Sequence, residues 1–213
     1  MKRIVVLVSG RGSNLAALLN AGIPAQFAAV ISNRPGAGAL ALAASRKVPA
    51  ITLDHATFSD RESFDAALAA EIDRHAPDIV LLAGFMRVLT GAFVNRYHGR
   101  LINIHPSLLP AFPGLDTHQR ALAAGVKIHG CTVHFVTPAL DHGPIIVQAA
   151  VAVRDDDDAT TLAARVLQQE HRIYSMAVRW LVEDRLQLTD DGRVHLRDAS
   201  AESRALVSPQ GPM

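Results

Sequence analysis

Short apolar runs alternate with segments of helical spacing through the first half of the chain. Residues 3–10, RIVVLVSG, are a run of aliphatics that stops at a serine and a glycine, the pattern of a strand buried on both faces. SNLAALLNAG, 13–22, follows with helical spacing and a glycine stop. AQFAAVISN (25–33) predicts a second strand, GAGALALAASRK (36–47) an alanine-rich helix, and VPAITLD (48–54) a short third strand. SDRESFDAALAAEIDRHA (59–76) opens on Ser59 with Glu62 three residues on, a capping signature, and continues as an amphipathic helix. PDIVLLAG (77–84) and RLINIHP (100–106) predict strands four and five. Strands that alternate with helices imply a Rossmann-like α/β fold, an open and mostly parallel sheet with helices on both faces.

The pattern changes after residue 114. THQRALAAG (117–125) reads as a helix. HGCTVHFV (129–136) and GPIIVQAAVAV (143–153) are β-rich and joined by the tight segment 137–143, which predicts an antiparallel C-terminal extension of the sheet. Residues 155–185 predict one long helix with Asp155 to Asp158 at its start, where the helix dipole favours negative charge. A short hairpin is expected around Asp190 to Arg193, and the polar stretch 199–213 is expected to be a mobile tail. The reading is therefore one domain over 1–198.

Bulk numbers narrow the function classes. A chain of 213 residues, 49% of them apolar, is enough for a sizeable core. A formal charge of +1 offers no nucleic-acid or membrane surface. The single cysteine, Cys131, rules out an internal disulfide and fits a reducing compartment. The apolar run Ile4 to Val8 is too short for a signal-peptide core. The cytoplasm is the expected location.

Chemistry in such a sheet belongs at the carboxyl ends of the strands. The loop Ser9 to Asn14, SGRGSN, leads into a helix, so the N–H groups of Gly12, Ser13 and Asn14 suit a phosphate. A plain turn capped by Ser13 or Asn14 fits the loop equally well. A dinucleotide fits less well, because Leu15 stands where G-x-G-x-x-G needs glycine and strand two ends without a carboxylate. Asn103 and His105 alternate on one face of strand five, and Pro106 holds His105 extended. An amide donor beside an imidazole suits a developing oxyanion. Asp141 lies in a turn. Beside His105 it would favour the imidazolium; alone it is an ordinary turn carboxylate. His129 and Cys131 share a strand face that His134 does not, so a zinc site is disfavoured without a bulge.

The stretches SGRGSNL, AGFMRVL, NIHPSLLPAFPG, HGCTVHFV, LDHGPII and QEHRIY resemble the phosphoribosylglycinamide formyltransferase family of folate-dependent formyltransferases, in order from residue 3 to about 188. The resemblance implies attack of a substrate amine on the formyl carbon of 10-formyltetrahydrofolate, with no metal. It implies a catalytic trio of Asn103, His105 and Asp141. Asn103 binds the formyl oxygen, His105 donates a proton, and Asp141 keeps His105 charged and helps order a proton-shuttling water. Gly12, Ser13 and Asn14 match the loop for the ribonucleotide phosphate, and Glu170 the residue near the glycinamide amine. Arg61, Met86, Arg87, Val88, Leu89, Asn103, Thr137, Pro138, Ala139, Leu140 and Asp141 match folate contacts. The nucleotide part is then about 1–100 and the folate and catalytic part about 101–198. The partners implied are the two small molecules, with neither nucleic acid nor membrane, in a monomer or homodimer. Asp116 stands where some members of the family carry His, and His142 where the family often has Gly. Two other readings are another folate-dependent formyltransferase or 10-formyltetrahydrofolate hydrolase, and a non-catalytic phosphate-binding α/β module.

Overall fold

The computed structural model describes residues 1–199 and 208. Most of the expected 199–213 tail therefore lies outside the described residues. The chain divides into two compact units: one of residues 1–103 with 135–140, the other of 104–134 with 141–213.

In the first unit, β1 (Lys2–Val8), β2 (Ala25–Ser32), β3 (Ala50–Thr52), β4 (Ile79–Leu82) and the start of β5 (Leu101–His105) pair in parallel, in the order β3-β2-β1-β4-β5. The alternation of a strand explains how one chain segment serves two layers. Val5 and Leu7 pack with Phe64, Leu68 and Ile72 of α3 (Arg61–Arg74) and with Phe93 and Tyr97, all buried. Ile4, Val6 and Val8 point to the opposite face and are fully buried too, as are Leu15 and Leu18 of α1 (Ser13–Asn20). A strand buried on both faces has to be apolar at every position, which is why RIVVLV shows no alternation. The alanine-rich segment folds as α2 (Gly38–Ser45).

Two helix starts differ from expectation. Helix α3 is capped by Asp60, not Ser59: Asp60 Oδ1 accepts from the Ser63 N–H at 2.7 Å, and the Ser59 hydroxyl donates to the other oxygen. A carboxylate is a stronger acceptor at a positive helix end than a hydroxyl, so the neighbour wins. Helix α1 has Gly12 as its N-cap, with φ +86°, in place of Ser13 or Asn14. A further helix, α4 (Gly91–Arg96), was not expected; Thr90 caps it by accepting from the Phe93 N–H.

The second unit holds α5 (Thr117–Ala123), β6 (Ile128–Phe135) up to His134, β7 (Ile145–Ala152) and the long α6 (Ala159–Val182). The antiparallel β6–β7 pairing is as expected, with a register shift that leaves Ile146 as an extra residue on β7. Asp158 and Thr161 form a reciprocal capping box at the start of α6. The Arg165 guanidinium then grips Asp157 through two hydrogen bonds of 2.7 and 2.8 Å. The expected hairpin is β8 (Leu186–Leu188) with β9 (Val194–Leu196). The sequence reading of a Rossmann-like, mostly parallel α/β fold with antiparallel C-terminal strands holds.

Candidate active site

Strand β5 crosses the boundary between the units at Asn103 and Ile104.

In the second unit the structure brings His105 and Asp141 together. The His105 Nδ1 lies 3.6 Å from Asp141 Oδ2, and both side chains are more than nine-tenths buried. The other ring nitrogen, Nε2, lies 3.1 Å from the carbonyl oxygen of Phe112. A carbonyl can only accept, so Nε2 carries a proton and donates it to Phe112. The ring is thus set between two acceptors, the Phe112 carbonyl and the Asp141 carboxylate. Asp141 is itself fixed. Its backbone has φ +54°, and its Oδ2 accepts from the Gly114 N–H at 2.8 Å.

A pair of histidines packs beside this group. His129 Nε2 and His118 Nδ1 are 3.2 Å apart, and His129 meets the Phe112 ring edge-on. Burial, then the neighbouring His118, pushes the His129 imidazole down to about 4. Burial, then His105, lowers His118 as well. His129 therefore belongs with His118, not with Cys131 and His134. Burial, then the charge of Glu170, pushes the Cys131 thiol up to about 12, far from a thiolate at neutral pH. No group of three or more His, Cys, Asp or Glu side chains placed to hold a metal occurs among the described residues. Glu170 lies buried on α6.

In the first unit, Gly12 adopts a left-handed backbone, and a Cβ there would lie 2.7 Å from the Ala39 Cβ. Glycine is thus required by backbone and by packing against α2, whatever binds the loop. Ser13 is exposed and Asn14 buried. Arg61 begins α3, and Asn103 pairs with Leu82 of β4. Met86 and Val88 are exposed, while Leu89 packs against the core. Arg87 stacks its guanidinium over the Phe64 ring at 4.7 Å. Thr137 to Leu140 return to this unit, and Pro138 lies close to Gly91.

Residues 2–178 match the model of the formyl transferase family. The chain belongs to that family. This formyl transferase is 48% identical over 192 residues to phosphoribosylglycinamide formyltransferase of Escherichia coli, covering 88% of this chain and 91% of that protein. Its structure matches glycinamide ribonucleotide transformylase 1 from Symbiobacterium toebii with a TM-score of 0.90 and 47% identity, over 93% of this chain and 95% of that one. A formyltetrahydrofolate deformylase from Pseudomonas syringae is also similar, with a TM-score of 0.85 and 30% identity, over 92% of this chain and 66% of that one.

Sequence reasoning passed over several residues that hold these segments in place: Asp65, Phe112, Gly114 and His118. Only Asp65 left a signal. It stands at helical spacing with Leu68, Ala69 and Ile72, a carboxylate on the buried stripe of α3. Phe112 and Gly114 act through their backbones, which no side-chain pattern reports.

Proposed function

We propose that this formyl transferase moves the formyl group of 10-formyltetrahydrofolate to the amine of N1-(5-phospho-D-ribosyl)glycinamide, a step in purine synthesis. The observation that carries the reading is the buried His105–Asp141 pair. An amide formyl carbon is a poor electrophile, so negative charge gathers on its oxygen as the amine attacks. A cationic N–H fixed in a dry site is what that oxygen requires; each preorganised donor lowers the barrier by about 3 kcal/mol.

The amine lone pair forms the new C–N bond, and the carbonyl π electrons pass to oxygen. Asn103 and His105 hold that oxygen. As the carbonyl re-forms, the bond to folate N10 breaks, and the proton lost by the attacking nitrogen is delivered to N10. His105 is the proton donor and Asp141 its counter-charge. For an imidazole N–H to reach the substrate it must exchange one acceptor. The Phe112 carbonyl is neutral and gives way more readily than the Asp141 carboxylate. Gly12, Ser13 and Asn14 take the ribose phosphate and Glu170 the glycinamide end. Arg61, Met86 to Leu89 and Thr137 to Asp141 take the folate. Holding two substrates together supplies the remaining rate, so the chemistry calls for donors and proximity rather than a Lewis acid.

The test is to incubate the protein with both substrates, with and without EDTA, and follow tetrahydrofolate and formate. Formylated ribonucleotide should appear at the same rate in both. Formate released without the ribonucleotide would instead favour the hydrolase reading, and a chelation loss restored by zinc would overturn the metal-free mechanism.

A further inference from the structure

Segment 83–90 links β4 to α4 and carries Met86, Arg87, Val88 and Leu89. It has no secondary structure of its own. It is nevertheless pinned. At its near end the Ala83 N–H donates to the Leu7 carbonyl at 2.9 Å, and the Ser9 N–H donates to the Gly84 carbonyl at 3.1 Å. The Met86 N–H then donates to the Ser9 Oγ at 2.8 Å. At its far end the Thr90 N–H donates to Asp65 Oδ2 at 2.6 Å. Between these two side-chain anchors, Arg87, Val88 and Leu89 make no backbone–backbone hydrogen bond among the described residues. Their N–H and C=O groups are uncommitted to secondary structure, on a span held at both ends.

Both anchors are buried and otherwise costly. Ser9 is 5% exposed and Asp65 3% exposed. The Ser9 hydroxyl has one proton, and its partners fix where that proton goes. It accepts from Met86, which can only donate, and donates to Asn33 Oδ1 at 2.5 Å, which can only accept. Asn33 is itself 1% exposed. Asp65 holds a carboxylate on the apolar stripe of α3 with its second oxygen, Oδ1, buried and without a hydrogen-bond partner. A buried carboxylate with one satisfied oxygen is a poor way to build a helix face. It is a good way to hold one backbone N–H in place.

We infer that Ser9 and Asp65 are positioning residues for folate: they clamp the two ends of segment 86–90 so that its open backbone meets the ligand preorganised. The inference rests on the assignment of Met86 to Leu89 to folate under the proposed function.

The experiment is steady-state kinetics of Ser9→Ala, Asp65→Ala and Asp65→Asn with both substrates varied, together with calorimetric binding of tetrahydrofolate. In Ser9→Ala and Asp65→Ala the KM for 10-formyltetrahydrofolate and the Kd for tetrahydrofolate should rise about tenfold, the loss of one buried hydrogen bond. The ribonucleotide KM and the saturated kcat should stay within about twofold, since an unclamped span still reaches the bound geometry. Asp65→Asn keeps an acceptor and should restore near-wild-type folate affinity. If Asp65→Ala does not fold, Ser9→Ala, which loses a single atom, carries the test. Unchanged folate affinity in Ser9→Ala, or equal losses for both substrates, overturns the inference. A wild-type protein that does not use 10-formyltetrahydrofolate at all would defeat the functional reading first, before any variant is compared.

Discussion

Asp141 Oδ2 is shared: it takes the Gly114 N–H at 2.8 Å and faces His105 Nδ1 at 3.6 Å. The hydrogen bond holds the carboxylate where the imidazole needs it. The longer distance is beyond hydrogen-bond range.

Residues that act as one unit lose activity non-additively. Asp141→Asn keeps the Gly114 contact and removes the charge, so turnover should fall about a hundredfold with substrate affinity nearly intact. The double variant with His105→Ala should be little worse than the worse single one. A double-mutant cycle on kcat checks this; losses that multiply would return Asp141 to the role of a turn residue.

Gly12→Val should damage the fold as well as the site. The substitution places a Cβ 2.7 Å from the Ala39 Cβ on a backbone at φ +86°, at a cost of about 1–3 kcal/mol from strain alone. The melting temperature without ligand should drop by several degrees, and ribonucleotide binding should weaken more than folate binding. Calorimetry showing equal losses for both ligands would count against the phosphate assignment.

Acid should destabilise the second unit through its histidines. His129 is held near 4 and His118 below its ordinary value, so the folded state binds fewer protons than the unfolded one at mildly acid pH. The sign follows: stability is complete above the unfolded value of about 6.5 and declines as pH falls below it, for His129 down to about 4. Melting temperatures at pH 7.5 and 5 should differ less in His129→Gln than in the wild type. An equal drop in both would remove His129 as the cause.

The Asp157–Arg165 pair acts at lower pH. The two guanidinium hydrogen bonds hold the Asp157 carboxyl well below the usual carboxylate range. Its contribution is present above the unfolded value of about 3.9 and is lost as pH falls further. Asp157→Asn should lower unfolding free energy at pH 7 by about 1–2 kcal/mol, read from urea denaturation, with a smaller difference at pH 3.

The strands were legible because burial on both faces forces unbroken aliphatic runs, as in Ile4 to Val8. Helix α4 was not, because six residues give fewer than two turns and its apolar pair, Phe93 and Val94, reads equally as loop. The α3 cap was misplaced by one residue because Ser59 and Asp60 are both good caps, and only backbone direction chooses. For the site, the alternation on β5 singled out Asn103 and His105, while Asp141 read as a turn carboxylate whose place beside His105 only the resemblance implied. No local pattern links residues 36 apart. His129 was grouped with its strand neighbours, yet its partner His118 comes from α5, a tertiary contact. The clamp at Met86 and Thr90 is a matter of main-chain N–H groups, to which composition is blind.

The close approach of Gly12 to Ala39 bears on how this protein could be silenced. A variant meant to lose its phosphate yet remain a faithful inactive control cannot be made at Gly12, since any side chain there pries α1 from α2. The neighbouring Ser13 is exposed and free of that constraint. A side-chain change there, such as Ser13→Ala, leaves the close approach of Gly12 to Ala39 untouched. Two adjacent positions in one glycine-rich loop thus differ in what they tolerate, Gly12 held by architecture and Ser13 open to exchange.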